Sequence, residues 1–177
     1  MASSLYTSIG KAAFPLNPFY QVGKDLRTVG AKFNVPTTGQ IGDQYVLAGP
    51  LSIDDRVARI WVAQFAALTS ATTWNLGFYY TKDALATQAN LLPVISGGGN
   101  ELWSGVSLAT APSAGLDLMT SKNTSLDNTK AIRDLLNVGP DHEPVGGIYL
   151  VLTNTTTANT AGGVVDLDIE IEEATTR

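Results

Sequence analysis

Residues that commonly do chemistry are sparse in this 177-residue chain, which has one histidine and no cysteine. His142 lies between Asp141 and Glu143, just before Pro144. Two carboxylates and an imidazole could in principle bind a metal ion. Adjacent residues rarely converge on one ion, however, and no second histidine exists to complete a zinc site. We therefore predict a solvated loop at His142 and no metal site.

Other catalytic arrangements are equally hard to find. The glycine run 97–99 is not followed by the Gly-Lys-Ser/Thr ending with which a phosphate loop reaches a nucleotide and its magnesium ion. The absence of cysteine excludes thiol catalysis, disulfides and Cys-ligated metals. No nucleophile with a base and no tuned carboxylate pair stands out. We therefore predict that the protein is not an enzyme and binds no cofactor.

Four carboxylates near the C-terminal end alternate with apolar residues: Asp166, Asp168, Glu170 and Glu172. In a strand they would share one face at intervals of roughly 6.6 to 7 Å, which is too wide for shared calcium ligation. We predict a solvated face. Two alternatives are a charged guard against edge-to-edge strand pairing and a docking surface for a basic partner.

Aromatic residues offer a different possibility, because tryptophan and tyrosine rings can stack on sugars. Trp61 and Trp74 lie inside strand patterns, so we predict that both pack in the core. Trp103 follows the glycine run, and we predict that it is exposed. Together with Tyr79 it could form a sugar-stacking platform.

The charge composition bears on the class of partner. The net charge is −5, only 15% of the residues are charged, and the 11 basic residues are scattered. A sequence-independent nucleic-acid binder needs clustered Lys and Arg, so we expect no nucleic-acid partner. No apolar stretch approaches the 18 residues of a membrane span, and no leader pattern is present, so we expect synthesis in the cytoplasm and no membrane partner. With 20 threonines, the polar surface is largely neutral and suits burial against other subunits.

Strand patterns dominate from residue 43 onward. Residues 56–68 carry Val57, Trp61 and Phe65 on one parity and Ile60 and Val62 on the other, which predicts a strand covered on both faces, with a helix as the competing interpretation. The other predicted strands are 43–48, ending at Gly49-Pro50, then 73–80, 102–108, 147–153 and 164–171, the last two forming a hairpin through 154–163. A short helix is predicted over 128–137, with Ala131, Leu135 and Leu136 on one face and Gly139-Pro140 after it.

Short strands without βαβ alternation predict an all-β protein, an antiparallel β-sandwich or jelly roll with one short helix in a connection. Residues 1–34 lack a sustained period and contain scattered Pro and Gly, which predicts an extended N-terminal arm before a single domain at 35–177. The arm packs either on its own domain or in a neighbouring subunit. Its predicted partner-contact residues are Leu5, Tyr6, Phe14, Phe19 and Tyr20.

Five segments together resemble small virion proteins encoded beside the major capsid gene in tailed bacteriophages. They are 73–80 (TTWNLGFY), 102–108 (LWSGVSL), 131–139 (AIRDLLNVG), 147–152 (GIYLVL) and 160–165 (TAGGVV). The resemblance implies a capsid decoration or cement protein, usually a homotrimer, on the outside of the virion. Its partner would be the major capsid protein, and it would stabilise the capsid by bridging neighbouring capsomers.

Two other functions stay open. A tail, neck or adaptor protein of the virion would have ring symmetry and far fewer copies per particle. A carbohydrate-binding β-sandwich module would use Trp103 and Tyr79 as its stacking residues. Fold class alone does not decide between them, because sandwiches support many unrelated functions.

Overall fold

The structure is a computed structural model that describes residues 5–7, 26–37, 39–65, 73–81, 91–107, 116–117, 130–139, 141, 144, 146–156 and 163–174. Its strands are β1 (Leu5–Thr7), β2 (Leu26–Val35), β3 (Gln44–Leu51), β4 (Arg56–Phe65), β5 (Thr73–Thr81), β6 (Leu91–Pro93), β7 (Trp103–Ser107), β8 (Leu116–Asp117), β9 (Ile148–Asn154) and β10 (Gly163–Glu172). One short helix, α1, covers Ile132–Leu136.

The strands form two sheets around a main core, so the predicted all-β sandwich is confirmed; Tyr79, Leu91 and Val151 form a second, small cluster. The six-stranded sheet has the order β1-β3-β9-β5-β6, with β7 also paired to β5, and the four-stranded sheet has the order β2-β10-β4-β8. Every pairing is antiparallel except that of β1 with β3. The sheets meet where Phe33 of β2 packs on Tyr45 of β3, with ring centroids 4.8 Å apart. Tyr45 in turn meets the edge of Trp74 in β5 at 5.7 Å.

The clearest alternation in the sequence gives the clearest strand. In β10 the residues Val165, Leu167, Ile169 and Ile171 are buried, while the carboxylates between them are half-buried on the other face, as predicted. In strand β5 the expected core face, Trp74, Leu76, Phe78 and Tyr80, is confirmed only in part: the first three lie in the core, Tyr80 is half-buried, and Gly77 and Tyr79 on the other face are buried too. Burial of one face by a facing sheet is what imposes this period of two.

Strand β4 is a strand rather than a helix, but its predicted faces are wrong. Its pairing with β10 shifts register twice, so that Val57, Ile60, Val62 and Phe65 lie opposite the four inward residues of β10. Each shift inserts one extra residue and reverses the parity that follows. Val57 and Ile60 are therefore both buried, whereas Trp61 lies opposite Asp168 on the outer face.

The predicted C-terminal hairpin is also wrong. β9 pairs with β3 and β5 in the six-stranded sheet, and β10 pairs with β2 and β4 in the four-stranded sheet. The connection between them therefore crosses from one sheet to the other. Two strong strand patterns close together in sequence favour a hairpin. Here each strand instead lies at the centre of one of the two facing sheets, where both are buried.

Three boundaries differ from the sequence predictions. β2 starts at Leu26, so residues 26–34 of the predicted arm belong to the four-stranded sheet. β3 continues through the cis Gly49-Pro50 bond to Leu51. Helix α1 has five residues, buries Ile132 and Leu136, and ends at Asn137, whose φ of 53° is left-handed, before Gly139 is reached.

Candidate functional site

The predicted arm contacts are only partly within the structure. Leu5 and Tyr6 belong to β1, where they stand opposite Gln44 and Tyr45 of β3. Phe14, Phe19 and Tyr20 lie outside the described residues. The first part of the predicted arm therefore forms an edge strand of the six-stranded sheet, and the partner contact itself stays a prediction.

The aromatic pair considered for sugar stacking is not available at the surface. Trp103 is 3% exposed and belongs to the main core, where it stands opposite Leu76. Tyr79 is 5% exposed, and its hydroxyl lies 3.1 Å from the Thr153 hydroxyl. Burial raises the pKa of Tyr79 above its usual value of 10.0. The prediction of an exposed Trp103 is wrong, because β7 continues the six-stranded sheet beside β5 and places the ring in the core.

The other two tryptophans differ in their outcome. Trp74 is fully buried, as predicted. Trp61, for which the strand pattern also predicts a core position, is half-buried on the outer face of the four-stranded sheet. There the Arg59 guanidinium lies 4.6 Å from the centre of the Trp61 ring, a cation–π distance. The bulges of β4 account for this change of face.

The acidic row lies on this same outer face. β10 is an inner strand between β2 and β4, so the row cannot guard a sheet edge, and that alternative is wrong. Arg56 and Arg59 of β4 pair with Glu172 and Glu170, the latter at 4.0 Å. On the other side, Lys32 of β2 stands opposite Asp166.

These neighbours make the outer face mixed in charge rather than strongly acidic. A basic partner would compete with arginines that already neutralise Glu170 and Glu172. The predicted solvated face therefore agrees better with the structure than a docking surface for a basic partner does. Asp168 differs from its neighbours in the row, because neither residue opposite it, Gly30 in β2 and Trp61 in β4, carries a charge.

A carboxylate that the sequence analysis did not single out organises the glycine run. Glu101 accepts hydrogen bonds from the backbone N–H groups of Gly99, at 2.8 Å, and Phe78, at 3.0 Å. It thereby ties the turn after β6 to strand β5. A Cβ atom at Gly77 would collide with this carboxylate and with the Gly99 backbone, so the close approach requires glycine there. Both oxygens serve the fold.

A second carboxylate, which is buried, joins three separate parts of the chain. Asp55, 6% exposed, accepts hydrogen bonds from the N–H of Ser52 at 2.8 Å and from that of Ala174 at 3.0 Å. Its backbone carbonyl accepts from the N–H of Ile132, the first residue of α1, at 2.8 Å. Asp55 thus fixes the β3–β4 turn, the helix and the end of β10 to one another.

In the part of the chain that the structure describes, no group of three or more His, Asp or Glu side chains could hold a metal ion. His142 and Glu143 lie outside that part of the chain, and Asp141 is exposed. Among the described residues no helix is long and apolar enough to cross a membrane. The buried carboxylates described above are engaged with backbone N–H groups of the fold.

Comparison with known proteins rests on structure. No family model and no curated protein matches the chain. Its fold is similar to a chain in the capsid of Ralstonia phage GP4, with a TM-score of 0.59 at 13% identity, over 98% of this chain and 100% of that one. A chain in the capsid asymmetric unit of cyanophage Pam1 matches with a TM-score of 0.45 at 11% identity, covering 93% and 96% of the two chains. At 13% identity, the likeness to the GP4 chain shows a common fold.

Proposed function

We propose that this chain is a non-enzymatic structural protein of a phage virion that decorates the outside of the capsid as a cement protein. The observation that carries the proposal is the end-to-end likeness to a chain of the Ralstonia phage GP4 capsid, which covers 98% of this chain and 100% of that one. A match over both full lengths favours a whole protein of the same kind over a shared module. The sequence resemblance to small capsid-associated proteins points the same way.

The mechanism we propose is adhesion at many equivalent sites. A cement protein bridges neighbouring capsomers, so the particle gains from hundreds of repeated contacts even if each is weak. We assign the contact with the major capsid protein to the N-terminal arm, through Leu5, Tyr6, Phe14, Phe19 and Tyr20. We also propose, from the sequence resemblance, that the protein sits on the lattice as a homotrimer.

The direct test uses empty capsids of the phage that encodes the protein. We expect purified protein to co-sediment with them at hundreds of copies per particle. A dozen copies or fewer would instead indicate a tail or neck protein, and no binding would overturn the proposal.

The arm is tested with a truncation. Removing residues 1–25 takes away the edge strand β1 but leaves β2 intact, because β2 begins at Leu26. A triple variant, Phe14→Ala with Phe19→Ala and Tyr20→Ala, removes only the predicted aromatic contacts. The matched control is Ile41→Ala, an apolar residue outside the arm that is 57% exposed. We expect capsid binding to be lost in both arm variants and kept in the control. Unchanged binding after truncation would show that the arm is not the contact.

The salt dependence of binding tests the chemistry of the interface. Only 15% of the residues are charged, so we expect a contact made mostly of apolar surface and neutral hydrogen bonds. Such a contact should survive ~0.5 M salt, in which charge interactions between exposed groups are largely screened. Loss of binding at that salt concentration would point to an electrostatic interface.

A further inference from the structure

The four sheet edges of this sandwich are unequal. Three end in short strands: β1 has three residues, β8 has two, and β6 and β7 at the far side of the six-stranded sheet have three and five. The fourth edge is β2, with ten residues. Short edge strands are one way in which soluble proteins avoid pairing with other chains. β2 is the exception.

β2 carries two charged residues, Arg27 and Lys32, but it lacks a proline and a bulge, which are other protections of an edge. Its pairing with β10 runs over all ten residues without a register shift, and it contains no proline. Its inward residues Val29, Ala31, Phe33 and Val35 are all buried core residues, and the one charge on this row is Arg27 at its N-terminal end, which pairs with Glu173 of the same chain. Among the described residues nothing pairs with its other side. The strand therefore presents a long, regular row of backbone donors and acceptors.

We propose that this edge pairs with β2 of a second copy of the chain, antiparallel and across a two-fold axis at Ala31. In this register Gly30 stands opposite Lys32 of the other copy, and Thr28 stands opposite Asn34. Val29 stands opposite Phe33, so buried residues continue the core on one face while polar residues meet on the other. Because a two-fold contact uses the same strand twice, each of these pairs occurs twice.

Charge selects this register over its neighbours. Asp168 of β10 stands beside Gly30, which has no side chain. In the proposed register Lys32 of the second copy lies on the far side of Gly30, two strand spacings or about 9.6 Å from Asp168, within reach of a four-carbon side chain. Two equivalent ion pairs form across the glycines. Each involves an aspartate whose neighbours in its own sheet, Gly30 and Trp61, carry no charge.

The neighbouring registers that keep the same faces together are worse. Shifting the axis to Lys32 places the two lysines directly opposite each other, which is destabilising. Shifting the axis to Gly30 places Lys32 of one chain opposite Thr28 of the other. The nearest carboxylate beyond Thr28 is then Glu170, which already pairs with Arg59 at 4.0 Å, so Lys32 gains less there.

This contact does not depend on the proposed function. A two-fold contact joins only two chains. If the protein is also a trimer, β2 pairing links one trimer to the next instead of building the trimer.

The absence of cysteine allows a clean test on the full chain. Thr28 and Asn34 are both exposed. In the proposed register Thr28 of each chain lies directly beside Asn34 of the other chain. Thr28→Cys combined with Asn34→Cys should form a covalent dimer under mild oxidation, seen on a non-reducing gel. Thr28→Cys alone should not, because the two introduced thiols would lie six residues apart along the paired strands. Thr28→Cys combined with Lys32→Cys reports the register centred on Gly30. No dimer in either double variant, or a dimer only in the second, would overturn the proposal.

Charge exchange supplies an independent readout in the protein without cysteines. Sedimentation should show self-association weakened about tenfold by Lys32→Glu, because two attractive pairs become repulsive. Adding Asp168→Lys should restore it by exchanging the charges. Urea unfolding of each variant separates a folding defect from a contact defect. Equal self-association of the wild type, the single variant and the exchanged pair would refute the ion pairs and the register they select.

Discussion

Replacing Asp55 with alanine should destabilise the protein far more than replacing the exposed Asp54 beside it. The side chain is 6% exposed and accepts two backbone hydrogen bonds, from Ser52 at 2.8 Å and from Ala174 at 3.0 Å. Its loss leaves two N–H groups without their acceptor. Hydrogen bonds to charged groups contribute about 1.5–3 kcal/mol each when buried. Since both bonds here are only partly buried, we expect a loss of about 2–4 kcal/mol.

The neighbouring residue provides a matched control. Asp54 is exposed and forms an ion pair with Arg133 at 2.8 Å, in which both side chains are more than a third exposed. An exposed pair of this kind contributes about 0–1 kcal/mol. Asp54→Ala therefore removes the same chemical group one position away at little cost. Asp55→Asn should fall between the two, because an amide oxygen can accept one of the two bonds while its NH2 group opposes the other donor.

Urea unfolding followed by tryptophan fluorescence measures these differences, since Trp74 and Trp103 are buried. For a chain of this size the expected loss lowers the melting temperature by about 4–16 °C. Amide hydrogen exchange at Ala174 should accelerate in Asp55→Ala and stay slow in Asp54→Ala. If Asp55→Ala unfolds at the same urea concentration as Asp54→Ala, the proposed role of Asp55 is incorrect.

Three further predictions concern the aromatic residues and the acidic row. Trp103→Ala should cost about 3–5 kcal/mol in urea unfolding, as expected for a buried tryptophan, and an unchanged midpoint would mean that the ring is not in the core. Because the pKa of Tyr79 is raised in the folded state, the unfolded chain loses this proton first, and the free energy of unfolding should fall as the pH rises above 10.0. Tyr79→Phe should remove that part of the fall, measured by unfolding at a series of alkaline pH values. Identical pH dependence in the two proteins would count against the burial of Tyr79. Glu172→Gln should cost about 1–3 kcal/mol in urea unfolding and Glu170→Gln less than about 1 kcal/mol, because the side chain of Glu172 is 12% exposed and that of Glu170 is 34%. Equal costs would show that burial does not distinguish the two pairs.

The sequence predicts those strands in which one face is buried along the whole length. Residues 164–171 carry their period of two in the sequence because the facing sheet buries one face of β10 from Val165 to Ile171, whereas in 73–80 residues of both faces are buried from Leu76 to Tyr79. Residues 56–65 form a strand as predicted, but two bulges move Ile60 to the face of Val57 and turn Trp61 outward. A bulge depends on how two strands pair, and the sequence of one strand alone does not reveal that pairing.

Long-range arrangement explains the other failures. The hairpin prediction fails because proximity along the chain does not reveal that β9 and β10 occupy different sheets. The adjacent glycine run suggests a surface position for Trp103, whereas its burial depends on β5, almost thirty residues earlier in the chain. The roles of Glu101 and Asp55 escape sequence analysis because each acts on backbone groups distant in sequence: Phe78 for Glu101, and Ala174 for Asp55. No local pattern marks a carboxylate for such a role.

The central position of β10 has a consequence for how the protein is made. Its neighbours β2 and β4 are both synthesised early, yet neither can complete the four-stranded sheet until residues 163–172 have left the ribosome. Until then β2 and β4 lack the strand that lies between them in the sheet. Pairing between segments more than a hundred residues apart also slows folding. The nascent chain therefore carries the open edge of β2 and the apolar faces of two strands until residues 163–172 emerge, and it is in this period that contact with other unfinished copies has to be avoided.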